Sequence, residues 1–181
     1  EVWFLDHSGF AVKTDANFMI FDYYTDIPAA EGTSLAGGVI DPEEIAGQQV
    51  TVFASHRHPD HFNPVIFEWE KTIPTIQYVL SHDIRSAKGT QNTIEAKPGC
   101  LYEVNGTSIQ TLKSTDEGVA FLVQADGFTI YHAGDLNWWH WEGESKGYNN
   151  DMAARFKEQI DTIAGTHIDI AFLPADPRLN E

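Results

Sequence analysis

An α+β fold is the class this sequence predicts, and three observations carry it. Short apolar runs separated by turn residues fill most of the chain, amphipathic helical stretches are few, and strand and helix do not alternate regularly. Packed sheets flanked by helices satisfy all three.

Val2 to Leu5, Phe10 to Lys13 and Phe18 to Tyr23 read as strands, divided by Gly9 and by Asp15-Ala16-Asn17. Asp26 to Gly38, rich in Pro, Gly, Ala and Ser, reads as an exposed loop. Asp41-Pro42-Glu43-Glu44 is a helix start, with a capping carboxylate, proline at the first turn and acids at the positive helix end. Val50 to Ala54 is a buried strand. Asn63-Pro64 repeats the start signal, so Val65 to Lys71 is a short helix, and Gln77 to Leu80 is again a strand.

From Cys100 to Ile130 strands alternate with turns at Asn105-Gly106 and Asp126-Gly127, both hairpin dipeptides. Met152, Phe156, Ile160 and Ile163 recur on one face of a helix over Asp151 to Ile163. Ile168 to Leu173 is a last buried strand. No internal repeat of fixed period is present.

The 181 residues suit a single domain spanning 1–181. No apolar run approaches the length that spans a bilayer, and no basic-then-apolar leader opens the chain, although it starts without Met. Formal charge is −16, from 27 acidic against 11 basic residues. Such a surface repels phosphate backbones, so the expected partner is a small molecule, with neither nucleic acid nor membrane. A lone Cys100 excludes an internal disulfide and fits the reducing cytoplasm.

Chemistry concentrates in Ser55-His56-Arg57-His58-Pro59-Asp60-His61, directly after the Val50 to Ala54 strand. On an extended segment His56 and His58 point the same way, while Asp60 and His61 turn a corner toward a second point. The pattern suits two neighbouring metal ions, the alternative being a solvated loop that happens to be rich in histidine.

His-x-His-x-Asp-His resembles the signature of the metallo-β-lactamase superfamily of hydrolases. Thr129 to Asp135, a strand ending in Gly-Asp, resembles a second family element, and Leu5-Asp6-His7-Ser8-Gly9-Phe10 resembles the opening strand of its lactonase-like branch. The resemblance implies a four-layer αββα sandwich with metals at one edge of its two sheets. It also implies that Asp135 bridges two ions, His56 and His58 hold one, and Asp60 and His61 hold the other. Asp60 has a second expected role, orienting the attacking hydroxide. Zinc is the expected metal, as two ions in the complete protein, with manganese and iron as further candidates.

The sequence departs from the pattern twice. Where the family has a third histidine, before the strand matched by Gly118-Val119-Ala120-Phe121, this chain has Ser114-Thr115-Asp116-Glu117. Asp116 is the candidate substitute, and a turn carboxylate is its other reading; as a ligand it would harden the site toward manganese or iron. The family's last histidine falls beyond Glu181, which suggests a longer protein. His132 reads as structural, facing away from Asp135 by its odd spacing, and His7 as either a rim or a buried residue. His82 and His140 are candidates for the cleft wall, and His167 for a helix-to-strand turn. Trp138-Trp139-His140-Trp141 reads as an aromatic wall or as loop packing.

These readings make the chain a metal-dependent hydrolase of a small ester, lactone or phosphoester. A non-catalytic metal-binding protein of the same fold is the alternative, favoured by the absent histidine. A di-iron redox enzyme is a third, and it calls for an electron-carrier domain.

Overall fold

In the computed structural model, residues 1–28, 34–85, 92–176 and 179 are described. Eleven strands form two sheets among these residues. The first joins β1 (Val2–Phe4), β2 (Phe10–Lys13), β3 (Asn17–Phe21), β4 (Gln49–Ala54), β5 (Gln77–Ser81) and β6 (Thr93–Ala96) in that spatial order. The second runs β11 (Ile170–Phe172), β10 (Phe128–His132), β9 (Val119–Ala125), β8 (Thr107–Lys113) and β7 (Leu101–Val104).

β3 to β6 are mutually parallel. Parallel strands need crossovers, and α1 (Pro42–Ile45) and a 3₁₀ segment (Pro64–Lys71) lie in two of them. β4 is apolar on both faces because both are covered: Val50, Val52 and Ala54 pack outward, while Phe53 packs toward the second sheet. In the second sheet β7 to β10 form a hairpin meander, turning at Asn105-Gly106 and Asp126-Gly127 with positive φ at both residues of each pair, and β11 joins β10 in parallel.

Three apolar layers separate four structural ones. Ile45, Ile66 and Trp69 pack on the outer face of the first sheet. Phe21, Phe53, Val79, Phe121 and Ile130 fill the space between the sheets. Leu122, Tyr131 and Leu136 meet Phe156 and Ile160 of α2 (Lys146–Asp161) on the far side. This is the αββα sandwich.

The predicted elements differ from the observed ones in detail. The expected Val65–Lys71 helix is 3₁₀; its buried residues Ile66 and Trp69 lie three apart, the spacing a 3₁₀ turn eclipses. β6 was not anticipated, being four residues long and at a sheet edge. Leu35–Gly37 forms a 3₁₀ turn inside the expected Asp26–Gly38 loop, of which 29–33 lie outside the described residues. Cys100 is half-buried in the turn before β7, not within a strand.

At one end the sheets are pinned by Asp126. Its Oδ2 accepts hydrogen bonds from Thr14 Oγ1 (2.6 Å), the Ala16 amide (2.9 Å) and Asn17 Nδ2 (3.1 Å). The histidine-rich loop opens at the other end, where β4 and β10 finish.

Candidate metal centre

The loop after β4 begins with an anchor. The Ser55 amide and hydroxyl each donate to Asp22 at 2.6 Å, and the Ser55 carbonyl accepts from the Val119 amide at 2.9 Å. Two glycines let the second sheet close on this point. A Cβ on Gly118 (φ 72°) would lie 2.0 Å from the Ser55 carbonyl oxygen and 2.6 Å from His56 Cβ. One on Gly134 (φ 50°) would lie 2.6 Å from Ser55 Cβ. Neither position admits a side chain.

Two groups of donors result. His56, His58, Asp116 and Asp135 each offer one ligand atom, all within 4.8 Å of one another, and His7, Asp60 and His61 do the same. His56 Nε2 stands 3.0 Å from His58 Nδ1 and 3.5 Å from Asp135 Oδ2. The other Asp135 oxygen, Oδ1, stands 3.4 Å from His61 Nε2. Two ligands on one tetrahedral ion, each about 2.0–2.1 Å from it, are roughly 3.3 Å apart. The spacings and the mixed imidazole and carboxylate donors therefore fit a transition-metal centre.

Hydrogen bonds fix which nitrogen His61 and His56 present. His61 donates Nδ1–H to Asp22 at 2.7 Å, leaving Nε2 toward Asp135. Ser55 Oγ lies 3.0 Å from His56 Nδ1, which leaves Nε2 for the cluster. Partners of this kind orient metal-binding histidines.

Electrostatics follow from burial. Burial alone would push the Asp22 carboxyl up, but the imidazoles of His132 and His61 and the Ser55 hydroxyl hold it below its usual value. Burial opposes charge on His61 too, yet the bond and charge of Asp22, with Asp135 and Asp60, raise it. Burial and the neighbouring His61 lower His56, keeping it in the neutral form a ligand needs. Burial raises Asp135, and the charges of Asp116 and Asp22 add to that rise against the pull of His61 and His56. A bound cation would offset the repulsion among these carboxylates.

Several other expectations meet the geometry here. Asp116 is exposed, but its carboxylate reaches the His56 group. Asp60 is exposed as well and lies 3.3 Å from His7 Nε2. His7 is therefore a rim residue, not a buried one. His132 is buried, donates Nε2–H to the Ser8 carbonyl (2.8 Å) and accepts from the Gly134 amide (3.2 Å) at Nδ1. It nonetheless borders the same cleft as Asp135, because the chain reverses at Gly134 before the odd spacing can separate them. His82 and His140 are exposed and do not line the cleft, while His167 pairs with Asp169 at the turn before β11. Asp22 escaped sequence reasoning. Its signal was a lone carboxylate ending the apolar strand Asn17–Phe21, which looks like a turn residue.

The cleft holds about 500 Å³. His7, Asp60, His61 and Asp135 line its polar side, and Phe10, Trp139, Phe172 and Leu173 its apolar side. Trp139 is fixed by its Nε1–H bond to the Asp135 carbonyl (3.0 Å) and by stacking with Trp141. Trp138 instead packs near Phe156, with the Lys157 ammonium over its ring. The tryptophan run thus divides between wall and packing.

Comparison with known proteins agrees with this geometry. Residues 1–145 match the family described as the beta-lactamase superfamily domain. A curated relative from Korarchaeum cryptofilum, named a UPF0173 metal-dependent hydrolase, is 29% identical over 144 residues, 75% of this chain and 60% of its own length. Among solved structures, Igni18, a metallo hydrolase from Ignicoccus hospitalis, aligns with TM-score 0.56 and 23% identity over 75% of this chain and 60% of that one. A metallo-beta-lactamase HARLDQ-motif mutant from Cronobacter sakazakii gives TM-score 0.56 and 16% identity over 94% and 76%. The chain spans about 60% of the length of the first two. With the matched family model covering most of its length, and with the sandwich and donor cluster in place, the chain belongs to the beta-lactamase superfamily.

Proposed function

We propose that this protein is a metal-dependent hydrolase acting on a small ester, lactone or phosphoester. The observation that carries the proposal is Asp135, whose two carboxylate oxygens face His56 Nε2 at 3.5 Å and His61 Nε2 at 3.4 Å. A carboxylate so placed is suited to joining two cation positions. The activity named for the Korarchaeum cryptofilum relative supports the same reading.

His56, His58 and Asp116 would hold one ion, Asp60 and His61 the other, with Asp135 shared. Zinc suits the imidazoles, and the carboxylate of Asp116 widens the choice to manganese or iron. Ions there would bring a bound water toward neutral pKa and polarise the oxygen of the group under attack. Asp60, open to the cleft, would accept a hydrogen bond from an attacking water and orient it. Phe10, Trp139, Phe172 and Leu173 exclude solvent and hold the apolar part of the substrate. The charge of −16 disfavours polyanions, so the substrate is small, and the cytoplasm is the proposed location. Among the described residues no helix is long and apolar enough to cross a membrane.

Asp116 bears on the non-catalytic alternative. That reading rested on a missing ligand, and a carboxylate reaching the His56 group weakens it.

The test is hydrolysis of chromogenic esters, lactones and phosphodiesters by protein stripped with chelator and then reloaded with zinc, manganese or iron(II). Turnover that vanishes on stripping and returns with metal is expected. A metal-loaded protein inert toward all three classes would point to the non-catalytic alternative.

A further inference from the structure

We propose that His7 is a ligand in the second cation position, so that the loop between β1 and β2 closes the centre together with Asp60, His61 and Asp135. This rests on the metal-dependent reading above.

His7, Asp60 and His61 each offer a donor atom within 4.8 Å of the others. His7 Nε2 is 3.3 Å from Asp60 Oδ2, and its ring meets His61 edge-on with centroids 5.2 Å apart. His61 has only Nε2 to give, because Nδ1 is bound to Asp22, and that nitrogen faces Asp135 Oδ1 at 3.4 Å. Four donors from three places in the chain thus converge, with His7 to Asp60 and His61 to Asp135 at ligand-to-ligand spacing.

A plain surface ion pair between His7 and Asp60 is the competing account. The loop argues against it. Asp6 (φ 71°) and His7 (φ 47°) are consecutive non-glycine residues in the left-handed region, an uncommon conformation. Hydrogen bonds from the Leu5 amide to the Gly9 carbonyl (2.8 Å) and from the Gly9 amide to the Asp6 carbonyl (2.7 Å) close the loop tightly. The His7 amide also donates to Asp6 Oδ1 at 2.8 Å. An incidental pair needs no such preset backbone, whereas a ligand does. The side chains of His7 and Asp60 are 46% and 53% exposed, while His56 is fully buried. Both positions therefore meet solvent on one side, through His7 and Asp60 at the second and through His58 (39% exposed) and Asp116 at the first.

Full-length protein stripped of metal and titrated with zinc by calorimetry, and with cobalt(II) by absorption, tests this. Wild type should show two binding events. His7→Asn, which tolerates the left-handed backbone, and His7→Gln should both weaken one event by about 100-fold while sparing the other. His58→Ala should do the reverse. Two events of unchanged affinity in both His7 variants would overturn the inference and leave the metal-dependent reading standing. A single event in wild type would overturn it as well. No binding by wild type would remove both.

Discussion

Asp22, fully buried at the end of β3, accepts the Nδ1 proton of His61 at 2.7 Å and thereby decides which imidazole nitrogen faces Asp135. The same carboxylate holds the Ser55 amide and hydroxyl, so one side chain positions both the start and the end of the histidine-rich loop.

Asp22→Ala leaves three buried donors without an acceptor. It should cost about 3–5 kcal/mol in stability and lower metal affinity about 10–100-fold. Chemical denaturation and zinc titration measure the two effects. A variant that melts like wild type and binds zinc equally well would show that Asp22 positions nothing.

His58→Ala and Asp60→Ala should each lower metal content strongly with little change in the melting temperature of the metal-free protein, since both side chains are partly or fully exposed. His132→Ala should show the opposite pattern. It loses the bond to the Ser8 carbonyl and the stacking on Phe21, costing about 2–4 kcal/mol, but keeps its metal. Elemental analysis beside thermal melts separates the two classes, and equal metal loss in all three would contradict it.

Gly118→Ala should be among the most damaging small changes in the chain, because its Cβ would meet the Ser55 carbonyl oxygen at 2.0 Å. More than about 3 kcal/mol of stability should go, together with metal binding. Gly127→Ala is the control. Its φ is 82° but nothing lies within 4 Å, so only the left-handed penalty of about 1–2 kcal/mol applies.

The Asp22–His61 pair also sets a pH profile for the metal-free protein. Asp22 is held below its ordinary 3.8, so its contribution is present above that value and is lost as pH falls through the lower folded one. His61 is raised above its ordinary 6.5, so its contribution is complete below 6.5 and is lost as pH rises through the higher folded one. Wild-type stability minus that of Asp22→Asn should therefore be greatest between these limits and shrink on both sides. A difference that is flat with pH would show the pair is not ionised as described.

What was legible in the sequence was local. His56, His58, Asp60 and His61 sit within six residues, so a strand end and one turn bring them together whatever the rest of the fold does. Asp135 was legible for a similar reason, as a Gly-Asp ending a strand. Asp22 was not, because its partner His61 is 39 residues away and only the parallel pairing of β3 with β4 makes them neighbours. That pairing leaves no trace in a run of apolar residues. His132 was assigned to the wrong side because the two-residue period of a strand stops applying at Gly134.

The donors come from both sheets: His56, His58, Asp60 and His61 follow β4, while Asp116 and Asp135 precede β9 and follow β10. β7 to β10 of the second sheet are a string of hairpins that folds on nearest-neighbour contacts, whereas β3 to β6, and β11 beside β10, pair only through crossovers. During refolding, then, neither half owns a complete donor set until the two layers dock. Uptake of a coloured ion such as cobalt(II) would time that docking step, arriving after the hairpins and together with burial of Phe53 against Phe121.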